Sequence, residues 1–543
     1  MPTIFSDNMV LQQKTKNAIW GWAEPGEKVT INASWGATST VVTGSNGKWK
    51  LLLDTPNYGT DFTLTVRGNN TVKINNVAVG EVWLCAGQSN MGWSLGNTFN
   101  GEDEAASANY PNYRIFKSAR EHWHEPLDIP RDRLAKWKPC TPQSAAATSA
   151  VSYYFGKKLH TDLNVPIGII VQAFAGTPIE GWMPYDIQKH DPKTQQLINE
   201  KNTASERLIK NGVTPESAIT KFNQELSAYN DKIDRGETMK NAYRTLTPPI
   251  ITKPANMGHQ YPGHIYNAMI YPIRPYGIRG AIWYQGERNS KTVPQALNYK
   301  IQLPLMINHY RSSWHELSDG NIDDEFPFYF TQLPSWNPPQ TEPVEGIEAT
   351  WAVNREMMRL VDNELPNTGM AVSIDTGDAI ALHPKNKKPI GLRLAYLALN
   401  RTYGKDLVSS GPHLIKQTID GATIVLHFDS IGSGLMAGKK GPLNTFAIAG
   451  KDRRWHWADA AIINNTVTLS SHEVKQPVAA RYAWAMNPSQ RNLLYNKEGI
   501  PASPFRTDDW PLFSSDDEAV IVNKPKKPKS YKPVDWNRPE MKQ

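Results

Sequence analysis

Between about residue 78 and residue 404, short continuous apolar runs alternate with helix-periodic stretches, and this alternation constrains the fold more than any other feature. EVWLCAG, VPIGIIVQAF, IRGAIWYQG, FPFYFTQL and TGMAVSID read as buried strands, while SAVSYYFGKKLHTDL, LNYKIQLPLMINHYRSSW, ATWAVNREMMRLV and KPIGLRLAYLALN carry helical spacing. Strands buried on both faces need helices over them, so the pattern predicts a parallel sheet within a three-layer α/β/α domain spanning 78–404. Within it, residues 186–245 are charged and helix-prone with no strand pattern, which predicts a helical insertion.

The flanks read differently. Residues 1–77 offer six short strand patterns separated by turn pairs such as Pro25–Gly26, Asn46–Gly47 and Asn69–Asn70, predicting a small antiparallel β-sandwich. Strand patterns return over 405–515 (HLIKQTIDG, TIVLHFDS, TFAIAGKD, AAIINNTVTLSS, ARYAWAM), predicting a second β-rich domain. A Lys/Pro-rich tail, 516–543, is expected to be flexible. A chain of 543 residues is too long for one core, in keeping with several domains.

Charge and cysteines narrow the function classes. The net charge is +7, but the last twenty residues hold seven Lys or Arg against two acids, so the body is nearly balanced and nucleic acid is not an expected partner. No apolar run approaches the roughly 18 residues a membrane span needs, so no membrane insertion is expected. The start shows no signal segment, so any export signal is either cut away or was never there; on the first alternative a periplasmic or secreted location is expected. Cys85 and Cys140 are too few for a disulfide framework, and Cys85 reads as a buried free thiol. Eighteen Trp and twenty-one Tyr suit a protein that stacks on sugar rings.

The residues with chemical potential fall where strands end, the usual ligand side of an α/β sheet. After VWLCA comes Gly87-Gln88-Ser89-Asn90-Met91, where Gly87 permits a sharp turn and Ser89 is poised with its hydroxyl exposed and its N–H facing a developing oxyanion. The plainer alternative is that Ser89 or Asn90 only caps a helix. After VPIGIIVQAF, the loop Ala175-Gly176-Thr177-Pro178 offers a second backbone N–H. After IRGAIWY comes Gln285-Gly286-Glu287-Arg288-Asn289, three polar groups and an arginine at one strand end. In SIDTGDAIALHPKNK, Pro384 holds His383 out of helix, where it can take a proton from Ser, and Asn386 is expected to cap the next helix.

Together these blocks resemble the SGNH/GDSL hydrolases, and specifically the sialate O-acetylesterase-like carbohydrate esterases. VWLCAGQSNM, AFAGTPIEGWMP, GIRGAIWYQGERN and DTGDAIALHPKNK carry the resemblance, and FSDNMVLQQ, IWGWAEPGE, GHIYNAMIYPI and NKEGIPASPFRTDDW extend it over nearly the whole chain. It implies an SGNH esterase domain acting on acetylated sialic acid or an acetylated xylan-type glycan by two-step acyl transfer. Ser89 would be nucleophile and His383 base. Ser89 N–H, Gly176 N–H and the Gln285 side chain would form the oxyanion hole. Glu287, Asn289 and Asn90 would support the site, and Arg288 could meet a substrate carboxylate. No metal or organic cofactor is implied.

One position departs from the family. Its members carry an Asp two residues before the His; here that position is Ala381. An acid there would orient the imidazole and stabilise its cation. Asp378 or Asp375 could replace it, Glu287 could do so, or Ala381 is an engineered substitution; the fidelity of the surrounding block favours the last, which predicts an inactivated variant. The alternative is a non-catalytic carbohydrate-binding protein on a decayed esterase scaffold.

Overall fold

The computed structural model describes residues 1–131, 133–210, 212, 214–237, 258–512 and 539–541. Parts of the expected insertion (238–245), of the C-terminal β-domain (513–515) and most of the tail lie outside them. The chain divides into two compact units: 1–96, 100–282 and 305–326 form the first, and 97–99, 283–304 and 327–543 the second.

The first unit opens with strands β1 Val10–Gln12, β2 Lys16–Trp22, β3 Lys28–Ala33, β4 Thr38–Val42, β5 Lys48–Asp54 and β6 Gly59–Arg67. Alternating burial along β3 and β5 is the signature of sheets with one face inward. The next strand, β7, runs unbroken from Thr71 to Gly87. Its first half pairs antiparallel with β6, and its second half pairs parallel with β10, Ile167–Ala173. Where the sequence suggests a boundary at 77–78, the chain therefore continues as one strand. The reason is visible in its burial: from Val77 to Gly87 every residue is enclosed. The short β1, which falls in the strand-like opening TIFSDNMVLQQ, pairs parallel with Ala78–Gly80.

Beyond β10 lie β8 (Tyr110–Lys117), parallel to it, and β9 (Trp137–Cys140), antiparallel to β8. The sheet is thus mixed rather than purely parallel. Helix Ala150–Leu163 packs against β8 and β10, capped at Ser149, whose hydroxyl accepts from Ser152 N–H. Cys85 and Cys140 are free and buried, and burial pushes the Cys85 thiol up to about 12. Helices Pro192–Lys210 and Pro215–Asp234 follow, the second opened by a Thr214–Ser217 capping box with proline in its first turn.

In the second unit, strands β12 (Phe328–Thr331) and β13 (Thr368–Ala371) pair in parallel, and helices Thr350–Glu364 and Lys388–Leu397 pack against β13. The fold class is α/β. Between the units in sequence runs β11, Gly280–Tyr284, buried throughout. The C-terminal half of the second unit is all β, with two four-stranded antiparallel sheets and a two-stranded one. AAIINNTVTLSS is not one strand but a hairpin. Asn464 and Asn465 both adopt positive φ (47° and 63°), the two-residue turn that asparagine favours.

Candidate active site

In the first unit, β7 and β10 run parallel in register, with Ala173 opposite Gly87. The two loops that follow therefore leave the sheet side by side, tied by the Phe174 N–H donating to the Gly87 carbonyl at 3.0 Å. Gly87 has φ 147°, a conformation a side chain rarely adopts, and this turn delivers Ser89 to the first position of helix Ser89–Gly92. The cap of that helix is Gln88, with no side-chain capping bond, so neither Ser89 nor Asn90 serves as its cap. Ser89 is half-buried, and Asn90 and Met91 beneath it are fully enclosed. A Cβ at Gly92 would lie 3.2 Å from the Ala173 side chain, a tight contact that favours glycine where helix Ser89–Gly92 packs on β10.

Gly176 is exposed with φ 72°, again a glycine conformation. Its loop is braced by Thr177, whose hydroxyl donates to the Phe174 carbonyl (2.8 Å) and accepts from the Trp182 indole (2.9 Å). Beside it Phe174 stacks on His259 with ring centres 4.7 Å apart, and His122 meets both rings edge-on. Burial, with His259 and Arg131 nearby, pulls His122 down to about 3, so it stays neutral. This aromatic wall is absent from the sequence reading. His122 and His259 are far apart in the chain, and nothing local marks either.

The second unit holds the remaining residues. Gln285 is fully enclosed; its Oε1 accepts from the Tyr299 hydroxyl at 2.7 Å, and its Nε2 donates to Asn289 Oδ1 at 2.8 Å. Tyr299 in turn accepts from the Trp283 indole at 3.1 Å. With Oδ1 so engaged, Nδ2 is the donor end of the Asn289 amide. The intervening Gly286 has φ 152°, and a Cβ there would meet Asn354 Oδ1 and Leu333 at 3.1 Å. Glu287 is buried and Arg288 half-buried.

Lys387, which the sequence reading passed over, is fully enclosed near Glu287. Burial draws its ammonium down to about 7 against the opposing pull of the Glu287 carboxylate, and its Nζ lies 5.3 Å from the Tyr284 ring centre. Lys387, not Asn386, is the cap position of helix Lys388–Leu397, and no side chain caps it. Lysine is ordinarily a solvent residue, so its place in HPKNK gave no signal.

Ala381, Leu382 and His383 lie half-buried in an irregular turn, anchored where Leu382 packs against the cluster containing Leu333, Trp336, Val353 and Trp484. The nearby carboxylates have distinct employments. Asp375 is buried in a bidentate pair with Arg393 (2.7 Å to each nitrogen) and accepts from the Tyr495 hydroxyl. Asp378 Oδ1 accepts from the backbone N–H of Ile380 (2.9 Å) and of Ala381 (3.1 Å), which brings a carboxylate onto the backbone of the departing position.

The family model of the sialic acid-specific acetylesterases, a group of carbohydrate esterases, matches residues 79–213. A sialate O-acetylesterase from Mus musculus is 28% identical over 92% of this chain and 93% of its own, and the Homo sapiens protein of that name is 27% identical over 92% and 91%. A crystal structure of a carbohydrate acetylesterase from Xanthomonas citri is 31% identical, with a TM-score of 0.76 over 94% of this chain and 99% of that one. The chain belongs to the sialate O-acetylesterase-like carbohydrate esterases. It is an ester hydrolase on an α/β scaffold with further β-sheets toward its C-terminus. Among its described residues, no helix is long and apolar enough to cross a membrane.

Proposed function

We propose that this esterase removes O-acetyl groups from sugars, with Ser89 as nucleophile and His383 as general base. The observation that carries the reading is the register of β7 on β10, which sends the Ser89 turn and the Gly176 loop out of neighbouring strands together. Ser89 attacks the acetyl carbonyl while His383 accepts its proton; the sugar hydroxyl leaves with that proton, and water then releases acetate from the acetyl-Ser89 intermediate. Developing charge on the carbonyl oxygen is met by the N–H groups of Ser89 and Gly176 and by the amide pair Gln285–Asn289. Glu287 answers Lys387 and braces the turn.

The acid of the triad is Asp378 in this reading. Asp375 is held by Arg393 and Glu287 lies in the field of Lys387, whereas Asp378 already bonds the Ala381 N–H. Ala381 is then a natural relocation of the acid rather than a disabled site. Acetate release from 9-O-acetyl sialate and from acetylated xylan, followed side by side, tests the function. Release from either, abolished in Ser89→Ala, is expected; no release from any O-acetyl sugar would overturn it.

A further inference from the structure

A cavity of about 260 Å³ lies where the C-terminal β-strands meet the 344–347 loop and helix Thr350–Glu364, and none of its lining residues is among the proposed catalytic groups. Its walls include Trp455, Trp484, Trp510, Arg453, Arg481 and Glu345. Trp455 and Trp510 are only half-buried and lie 5.4 Å apart at 52°, so two indole surfaces line one hollow. Neither indole N–H has a hydrogen-bond partner among the described residues. Trp137, Trp182, Trp283 and Trp314 are fully enclosed and each donates its N–H to a protein oxygen, while the buried Trp336 N–H has no such partner, so it is the exposure of Trp455 and Trp510 that sets them apart.

The charged groups divide in the same way. Arg481 stacks on Trp455 and Trp484, its guanidinium 4.6 and 5.0 Å from their ring centres, and is neutralised by a bidentate pair with Asp508 (2.7 and 2.8 Å). It is scaffold. Arg453 is exposed, 5.3 Å from the Trp510 ring centre, and forms no ion pair among the described residues. Glu345, on the facing loop, has one oxygen on the Met486 N–H and the other open to hydrogen bonding.

We infer that this hollow is a carbohydrate-binding site, taking a pyranose unit of a glycan chain against the surface formed by the adjoining Trp455 and Trp510 indoles, with Arg453 and Glu345 bonding its hydroxyls. Aromatic faces match the apolar C–H faces of a sugar ring, and flanking charged groups satisfy its rim. At about 260 Å³ the hollow is below the roughly 300 Å³ at which drug-sized sites begin, the scale of one or two sugar rings. The site holds a glycan whether or not it carries acetyl groups, so it stands apart from the esterase reaction.

Isothermal titration of the full chain with two unacetylated glycans, xylohexaose and sialyllactose, tests this and separates the two sugar classes. One of them is expected to bind, and Trp510→Ala or Arg453→Ala to weaken binding about tenfold, with 4-nitrophenyl acetate hydrolysis unchanged. Arg453 is exposed, so its variant reports on the site even where the tryptophan variant disturbs folding. The inference fails where neither glycan binds, or where binding persists undiminished in both variants. Because the probes lack acetyl groups, that failure leaves the catalytic reading untouched.

Discussion

At the scale of the residue, the decisive question is which carboxylate serves His383. Asp375 and Asp378 lie three positions apart, yet their surroundings assign them different work. Asp375→Ala leaves the Arg393 guanidinium buried and unpaired, and is expected to cost about 3–5 kcal/mol of stability, read as a lower urea midpoint. Asp378→Asn should leave that midpoint nearly unchanged and lower kcat by about 10³–10⁴-fold. The reverse pattern would make Asp375 the catalytic acid. Lys387 supplies a pH signature. Its folded-state pKa, drawn to about 7 by burial, lies below the value of about 10.4 expected when unfolded. Between those limits the unfolded chain holds the additional proton, so stability rises with pH from about 7 toward about 10, and the penalty is present in full below 7. Lys387→Met should flatten that rise in urea midpoints compared at pH 7 and pH 9; an unaltered slope would mean another group causes it. Ser89, Gly176 and Gln285 stand out in the sequence because each follows an apolar strand run, and in the structure each lies just past a strand end, whereas His383 sits in an irregular turn well beyond Ala371. Lys387 and the His122–His259 wall were illegible because burial and stacking partners far apart in the chain define them.

At the scale of the element, glycines set the turns that carry chemistry. Gly286 links the buried strand β11 to the Gln285–Asn289 amide pair through a φ of 152°. Gly286→Ala forces a methyl to within 3.1 Å of Asn354 and Leu333, and is expected to reduce kcat by at least tenfold while KM changes little. Kinetics indistinguishable from the parent would show that the amide pair tolerates displacement. The strands and helices that the sequence reading names in the α/β region are of the type expected, because continuous apolar runs and helical spacing differ in period. The hairpin at Asn464–Asn465 was not, since its two strands read as one β-branched run unless the paired asparagines are taken as a turn. The mixed sheet escaped because strands β8 and β9 carry no apolar run that marks them in the sequence, and the antiparallel β9 is what mixes the sheet.

At the scale of the whole chain, the N-terminal strands are not an appendage. The strand that ends at Gly87 begins at Thr71, and β1 pairs with its middle. Removing residues 1–77 would strip β7 of both β6 and β1 and expose a buried edge, so the truncated chain is expected to lose soluble yield, measured against the full chain by circular dichroism and gel filtration. A soluble, active truncation would contradict the continuity of β7. The most direct test of the account as a whole is acetate release from a small activated ester by this chain, Ser89→Ala, Asp378→Asn and Ala381→Asp together. The account predicts an active parent, a blank Ser89→Ala, a crippled Asp378→Asn, and no large gain from Ala381→Asp. An inactive parent restored by orders of magnitude on introducing Asp at 381 would contradict it, showing the triad acid to be missing rather than moved.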